Sequence, residues 1–250
     1  MELIMWGLGC CGVAAIFFHL ASKDRSKAAR MRKTPTTRVR DLTPGFRELK
    51  GRVAASGELL RSPLTKSRCV FFELKVEEER TSRSGGSSST NWHTVVEDRQ
   101  TAGLMLDDGT GQCPVDIADA ELMFEPDTQR KSGILNDAPP EVETTLQERY
   151  GISSEGALFN KSMRYTETVL KPGEMLYVLG TAVPRGNGLT MEKAGDLFII
   201  GDRTEGVIAG KFSSAALAKM VLSVVLALLG GMCLIAGAGG VELGTRRRRH

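Results

Sequence analysis

The residues best placed to do chemistry are the run Asp107-Asp108-Gly109-Thr110-Gly111 and the group Trp92, His93, Glu97 and Asp98. Adjacent carboxylates in a glycine-rich turn could serve an aspartic-protease centre or cradle a phosphate. The first needs Asp-Thr/Ser-Gly, whereas the order here is Asp-Gly-Thr-Gly. The second needs a closing Gly-Lys-Ser/Thr, which is missing. A β-turn whose glycines supply positive φ accounts for the segment by itself. His93 beside Glu97 and Asp98 could exchange protons, but context marks no Ser or Cys nucleophile. Neither a GxSxG elbow nor an HExxH pair occurs. No catalytic residue is assigned.

Metal chemistry fares no better. Cys10, Cys11 and Cys233 lie in apolar stretches, while Cys69 and Cys113 stand alone in apparent strands, and His19, His93 and His250 are scattered. A structural zinc site needs four clustered N/S ligands, so neither a metal nor another cofactor is expected. Cys69 and Cys113 read as small buried hydrophobes, with a disulfide as the alternative if the module is exported.

The elements that must position these residues are short and mostly extended. Phe46 to Ala55 alternates like a strand with Leu49 and Val53 on one face. In Arg68 to Glu79, Val70, Phe72, Leu74 and Val76 alternate with Phe71, Glu73, Lys75 and Glu77, which buries one side and wets the other. Thr81 to Asn91, with Gly85-Gly86 among serines, reads as a flexible hairpin loop before strand character resumes at Trp92. Leu104 to Leu106 and Gln112 to Ile117 flank the Asp-Asp-Gly-Thr-Gly turn. Ala118 to Ala138 is ambiguous, and Glu141 to Tyr150 is a short helix ended by Gly151. Two more strands follow at Arg164 to Leu170 and Glu174 to Leu179, joined through Lys171-Pro172-Gly173, and Leu189 to Glu192 and Leu197 to Ile200 add a final pair. The expected class is α+β and predominantly β, a compact barrel or sandwich-like module flanked by two transmembrane α-helices.

Those helices are the 19 residues Leu3 to Ala21 and the 22 residues Met220 to Val241, each without Asp, Glu, Lys or Arg. About 20 apolar residues cross a bilayer. No basic n-region precedes the first segment and no A-x-A-like site follows it, so it reads as a retained signal anchor. The expected layout is a first span at 1–21, a basic stalk at 22–44 in which Ala28 to Arg32 can be helical until Pro35 stops it, the β-rich domain at 45–205 and a linker at 206–219. The second span is 220–241 and an arginine-rich tail is 242–250.

The formal net charge of +3 conceals an uneven distribution. Residues 22–50 carry ten Lys/Arg against three acids and the tail four arginines against one, which leaves 51–241 negative by about six. Lys23, Arg25, Lys27, Arg30, Arg32 and Lys33 are expected to meet lipid headgroups. A nucleic-acid surface would need its positive charge on the folded module, so no nucleic-acid partner is expected. Eight Lys/Arg between Lys23 and Arg40 place the central domain on the cytoplasmic side of the membrane. Arg246 to Arg249 oppose that orientation, and a re-entrant second segment bent at Gly230-Gly231 would remove the conflict. The glycine-rich helices also offer surfaces for homo-oligomerisation.

Four segments taken in order carry a family likeness. They are Gly51-Arg52-Val53 with Ser62-Pro63-Leu64-Thr65 and Cys69 to Leu74; then Trp92; then Leu106 to Gly111 with Val115-Asp116; then Lys171-Pro172-Gly173-Glu174 with Tyr177-Val178-Leu179-Gly180. This set, over about residues 45–205, resembles the GIDE domain, also described as the "beside a membrane" (BAM) domain of GIDE-type E3 ubiquitin ligases. The resemblance implies a domain set between two transmembrane helices. It marks Ser62, Pro63, Leu64, Trp92, Asp107, Asp108, Gly109, Gly111, Pro172, Gly173, Tyr177 and Gly180 as signature positions, expected to be structural. Eukaryotic members add a zinc-binding RING after the second span, and they face the domain away from the cytosol. Here Thr245-Arg246-Arg247-Arg248-Arg249-His250 follows instead, so the chain looks like the RING-less prokaryotic relatives, a resemblance that implies a two-span protein of a prokaryotic plasma (inner) membrane. The expected function is a non-enzymatic, membrane-anchored interaction module that binds a protein partner. The alternatives are a component of ubiquitin-like conjugation or stress signalling with its catalytic part supplied in trans, and a small-ligand-binding barrel.

Overall fold

The computed structural model describes residues 2–84, 87–133, 138–154 and 161–247, and the chain divides into two units, Met1–Pro35 with Thr204–His250, and Thr36–Arg203. Its helices are α1 (Glu2–Lys33), α2 (Pro140–Tyr150) and α3 (Glu205–Arg247).

The first unit is an antiparallel pair of α1 and α3. Buried Gly7, Ala14, Ala21 and Ala28 recur every seven residues along α1, and buried Ala209, Ala216, Ser223, Gly230 and Gly237 do the same along α3. A seven-residue repeat keeps one seam of each helix facing its partner, and small residues let the backbones approach closely. A Cβ on Gly230 would stand 2.9 Å from the Gly7 carbonyl oxygen, and one on Gly237 would stand 2.7 Å from Ile4. At the other end the Lys27 ammonium lies 5.1 Å from the centre of the Phe212 ring, and Lys219 bonds Asp24. Large side chains away from the seam, including Trp6, Ile16, Leu228 and Ile235, are exposed. Both helices are long and apolar enough to cross a bilayer.

The helices outrun the apolar windows. Residues 22–33, expected as stalk, continue α1 until Thr34-Pro35, and residues 206–219, expected as linker, are the first turns of α3. The seam explains both, because Ala28, Ala209 and Ala216 pack where the sequence has already turned polar. The helix also runs unbroken through Gly230-Gly231, so the re-entrant bend does not form.

The second unit holds β1 (Gly45–Ala55), β2 (Leu60–Arg61), β3 (Arg68–Cys69), β4 (Phe71–Ser84), β5 (Ser87–Thr101), β6 (Leu104–Asp107) and β7 (Gln112–Pro114). After these come β8 (Glu121–Met123), β9 (Thr128–Ser132), β10 (Met163–Leu170), β11 (Met175–Arg185), β12 (Gly188–Glu192) and β13 (Ile199–Gly201). The larger sheet runs β7-β6-β1-β11-β13-β8 with β12 on β11; β5-β4-β10-β9 forms another and β2-β3 a third. A bridge from Val115 to Met191 joins the end of β7 to β12. The strands β7, β6, β1, β11 and β12 thereby close into a small barrel. Leu49, Val53, Leu106, Cys113, Val178 and Met191 fill its core. The β4–β10 sheet buries Leu74, Val76 and Tyr165 against Val142 and Leu146 of α2. Pro140 opens α2 at a position that needs no N–H, and Gly151 closes it at φ 65°.

Two expectations are corrected here. Phe71, assigned to the wet side of its strand, is fully buried in the barrel core while Phe72 packs with Cys69 and Val169. The strand crosses between two cores, so simple alternation fails at its start. Thr81 to Asn91 is no loose loop either. The β4–β5 ladder continues through Arg80↔Asn91 to Ser84↔Ser87, after a bulge at Val76/Glu77. Gly85-Gly86 lies outside the described residues. The ambiguous stretch 118–138 supplies β8 and β9.

Cys69 and Cys113 are unpaired and buried. Burial, with the Glu167 carboxylate adding to it, pushes the Cys69 thiol up to about 11. Only the thiolate is nucleophilic. Neither cysteine should therefore react with a small maleimide in the native chain, and both should label after denaturation; peptide mapping by mass spectrometry reads this directly. Native labelling of either would contradict the packing.

Candidate functional site

The signature residues resolve into four joints of the second unit. The first is the tip of the β2–β3 hairpin, tied to Glu167 of β10. That carboxylate is fully buried. It accepts the Leu64 N–H at 2.6 Å, the Thr65 N–H at 3.0 Å, the Thr65 hydroxyl at 2.6 Å and the Ser62 hydroxyl at 3.2 Å. Pro63 has no N–H to satisfy, and its carbonyl lies 3.5 Å from the Thr145 hydroxyl of α2. Lys66, at φ 56°, turns the chain back and donates to the same hydroxyl at 2.9 Å. An ionised acceptor makes such bonds stronger than neutral ones. Ser62-Pro63-Leu64-Thr65 is thus a carboxylate-capped hairpin.

The second joint is the Asp107–Gly111 turn between β6 and β7. Asp107 accepts the Gly109 N–H at 2.8 Å and the Gln112 side-chain amide at 3.0 Å. Asp108 accepts the Thr110 N–H and hydroxyl at 2.8 and 2.7 Å, and reaches across to the Val39 N–H at 2.8 Å. Thr110 then accepts the Arg40 N–H at 3.2 Å. The two carboxylates brace a turn and clamp the 3-10 turn Val39–Asp41 onto it.

The third joint is Lys171-Pro172-Gly173-Glu174. Gly173 adopts φ 86° and its N–H donates to the Val53 carbonyl, while Val53 N–H donates to Glu174. Arg52 donates to the Gly173 carbonyl at 2.7 Å. A Pro–Gly centre suits a turn that needs positive φ at its second corner. The fourth joint lies on β11. The Tyr177 hydroxyl donates to buried Glu48 at 2.9 Å, and Glu48 also accepts the Thr36 hydroxyl at 2.6 Å and pairs with Lys50 at 2.8 Å. Gly180 has no room for a side chain, because a Cβ there would stand 2.3 Å from the Phe198 ring.

Trp92 sits apart from these joints. It is about one-third exposed on β5, with the Arg164 guanidinium 4.7 Å above its ring, and Arg164 also donates to Glu77 at 2.8 Å. Asp98 accepts the Tyr150 hydroxyl at 2.7 Å and pairs with Arg149 at 2.9 Å. Burial, reinforced by that bond, pushes the Tyr150 phenol up. The His93–Glu97–Asp98 grouping therefore has its aspartate committed to α2. Among the described residues no group of three or more His, Cys, Asp or Glu could hold a metal ion.

In the first unit, Lys23, Arg25, Arg32 and Lys33 are exposed, whereas Lys27 and Arg30 are half-buried. Arg32 donates to the Ser213 hydroxyl at 3.1 Å. The sequence reading missed the two buried glutamates, Glu48 and Glu167. Each is flanked by residues that alternate, and nothing local marks either as turned inward.

Several exposed and half-buried carboxylates are held low, which sets an acid limit. The Gln112 amide and the Gly109 N–H lower Asp107. Partial burial opposes ionisation of Asp108, but Thr110 and Val39 outweigh it. Glu143 behaves likewise, with burial outweighed by bonds from Ser154 and Ser153. Folded-state values below the ordinary 3.8 for Asp and 4.5 for Glu mean stability that is complete above those values and lost as pH falls through the folded ones. The thermal midpoint should be insensitive to these groups above about pH 5 and decline below about pH 4. Asp108→Asn with Glu143→Gln should lower the neutral-pH midpoint and flatten the decline. An unchanged acid limb would refute the assignment.

A family model described as GIDE, E3 ubiquitin ligase, matches residues 74–236. The match begins in β4 and ends in α3, so it takes in Asp107–Gly111, Glu167, Lys171–Glu174, Tyr177 and Gly180, and leaves outside it the Ser62–Thr65 hairpin and the partners those residues meet on β1 and at Thr36–Arg40. Neither a curated protein nor a solved structure matches the chain.

Proposed function

The chain belongs to the GIDE family, and from that premise we propose that it is a membrane-anchored protein-interaction module of the family, non-enzymatic in itself. The observation that carries the reading is the β4–β5 arm. β5 runs for 15 residues as the outer strand of its sheet, pairing with β4 alone among the described strands. An outer strand presents unpaired N–H and C=O groups to any extended segment laid beside it. Trp92 stacked on Arg164 adds the two side-chain types most enriched at binding hot spots. The acidic signature residues, by contrast, are consumed in the joints of the fold.

A photo-crosslinking amino acid at position 92 tests this in living cells. The expected result is a discrete protein adduct, lost when β5 is interrupted by Thr94→Pro in a chain that still folds. Adducts to lipid alone, or none, would remove the reading. The anchoring is proposed for an inner membrane with Thr36–Arg203 on the cytoplasmic side, as the basic residues after the first apolar segment favour. A reporter between Gly85 and Gly86 should then report the cytoplasm and one after His250 the opposite side; a loop reporter outside with the tail inside would reverse the orientation, and both on one side would remove the two-span layout.

The family description favours a second reading, in which the chain serves a ubiquitin-like conjugation system whose catalytic part comes from another protein. Its five cysteines and three histidines are dispersed, so these residues offer no RING of their own. Transfer activity reconstituted only on adding a RING or E2-like protein would support that reading over the first.

A further inference from the structure

We propose that a groove between α1 and α3 is a binding site for one anionic phospholipid, its phosphate held by Arg25 and Arg32 and an acyl chain laid on Phe18 and Met220. The proposal rests on the membrane reading above and adds a specific ligand to it. The groove encloses about 360 Å³, with Phe18, Leu217 and Met220 among its walls and Arg25, Arg32 and Ser213 also lining it. Small residues of the seam, Ala21, Ala28 and Ala216, form its floor. The helices touch there without large side chains to fill the space above them.

The charges around it are sorted. Asp24 is the one acid between residues 22 and 33, and Lys219 engages it. Lys27 is turned onto Phe212. Arg25 has no hydrogen-bond or ion-pair partner among the described residues, and Arg32 donates only to the Ser213 hydroxyl. Seven residues apart, the two arginines share a helix face, with their Cα positions about 10 Å apart along the axis, a span that two long side chains can close on one phosphate. Arginine presents a planar fork of donors that suits a phosphate. The apolar wall residues lie where the uncharged stretches end, at Ala21 on α1 and Met220 on α3. The ligand that fits is therefore anionic at one end and apolar at the other. A free phosphate would use only half of the groove.

The test uses the full chain purified in a neutral detergent, with phosphatidylglycerol, phosphatidylcholine and inorganic phosphate as probes, read by native mass spectrometry. Phosphatidylglycerol should bind about tenfold more tightly than phosphatidylcholine, and inorganic phosphate should not compete at matched concentration. Arg25→Gln with Arg32→Gln should abolish the preference. Lys23→Gln with Lys33→Gln, an equal charge change outside the groove, should keep it. Ala29→Phe, which fills the groove and keeps both arginines, should abolish it while circular dichroism stays unchanged. Equal loss in both charge pairs, no preference in the parent chain, or displacement by inorganic phosphate would overturn the site. Release of the parent chain from membranes by alkaline carbonate would overturn the membrane reading with it. Absence of a lipid preference in a parent chain that resists carbonate overturns the groove alone.

Discussion

Glu167→Ala is expected to destabilise the Thr36–Arg203 unit by about 3–5 kcal/mol, read from urea unfolding of the full chain in a neutral detergent. The size follows from what the carboxylate leaves behind. Its four donors do not suffer equally. The Ser62 and Thr65 hydroxyls lie 2.8 Å apart and can rotate onto one another, and Thr65 also reaches the Ser67 hydroxyl at 3.0 Å. The Leu64 and Thr65 amides cannot turn. Both belong to a hairpin tip packed on β10 and would lose their acceptor in a buried place, at about 1–3 kcal/mol each. Glu167→Gln should cost less, about half as much, since one oxygen remains while the new NH₂ opposes an amide donor. Thr65→Val, which removes one hydroxyl bond and keeps the amide, should cost about 1–2 kcal/mol. Glu167→Ala should also make Cys69 reactive to maleimide, because the hairpin that covers it loses its anchor. A change within about 0.5 kcal/mol would show that water replaces the carboxylate and that the cap is ornamental.

That carboxylate also marks where sequence reading stopped. The β1 strand, the β6–β7 turn and α2 were legible because their signals are local: alternation, a glycine-rich turn, a proline before and a glycine after. Glu48 and Glu167 were not, because a glutamate in an alternating segment reads as a wet residue. What turns them inward lies 129 residues away for Tyr177 and 103 for Leu64. The β4–β5 arm was misread for a related reason. Its Ser, Thr and Gly composition matches a loop, and only the cross-strand ladder makes it a strand. The signature positions other than Trp92 lie at joints of the fold, and which partner each one meets could be read only with those partners in view. A different obstacle hid the helix seam. Gly7, Ala14, Ala21 and Ala28 keep their seven-residue spacing in plain sight, yet within an apolar run every residue looks alike. The stop of α1 before Pro35 was legible from that proline, whereas the early turns of α3, before Met220, carry no local signal.

The seam yields the second large effect, through two neighbouring glycines. Gly230→Leu should force α1 and α3 apart, whereas Gly231→Leu should leave them in place. The two substitutions change hydrophobicity, helix propensity and volume equally, so any difference between them is packing. At position 230 a Cβ would meet the Gly7 carbonyl oxygen at 2.9 Å and the Cys11 sulfur at 2.8 Å. At position 231 nothing lies within 4 Å. A backbone oxygen cannot rotate aside as a side chain does, so relief requires moving a helix. Overpacking of this kind costs about 1–3 kcal/mol, and close backbone approach is what associates helices in lipid. Spin labels at Met5 and Ile235, both exposed on the outer faces, measure the separation by pulsed electron resonance. The expected result is a longer and broader distance distribution for Gly230→Leu and an unchanged one for Gly231→Leu. Equal distributions would mean that the helix pair is not held by its seam. Because the phospholipid groove is floored by the same seam, Gly230→Leu should also weaken phosphatidylglycerol retention without touching either arginine.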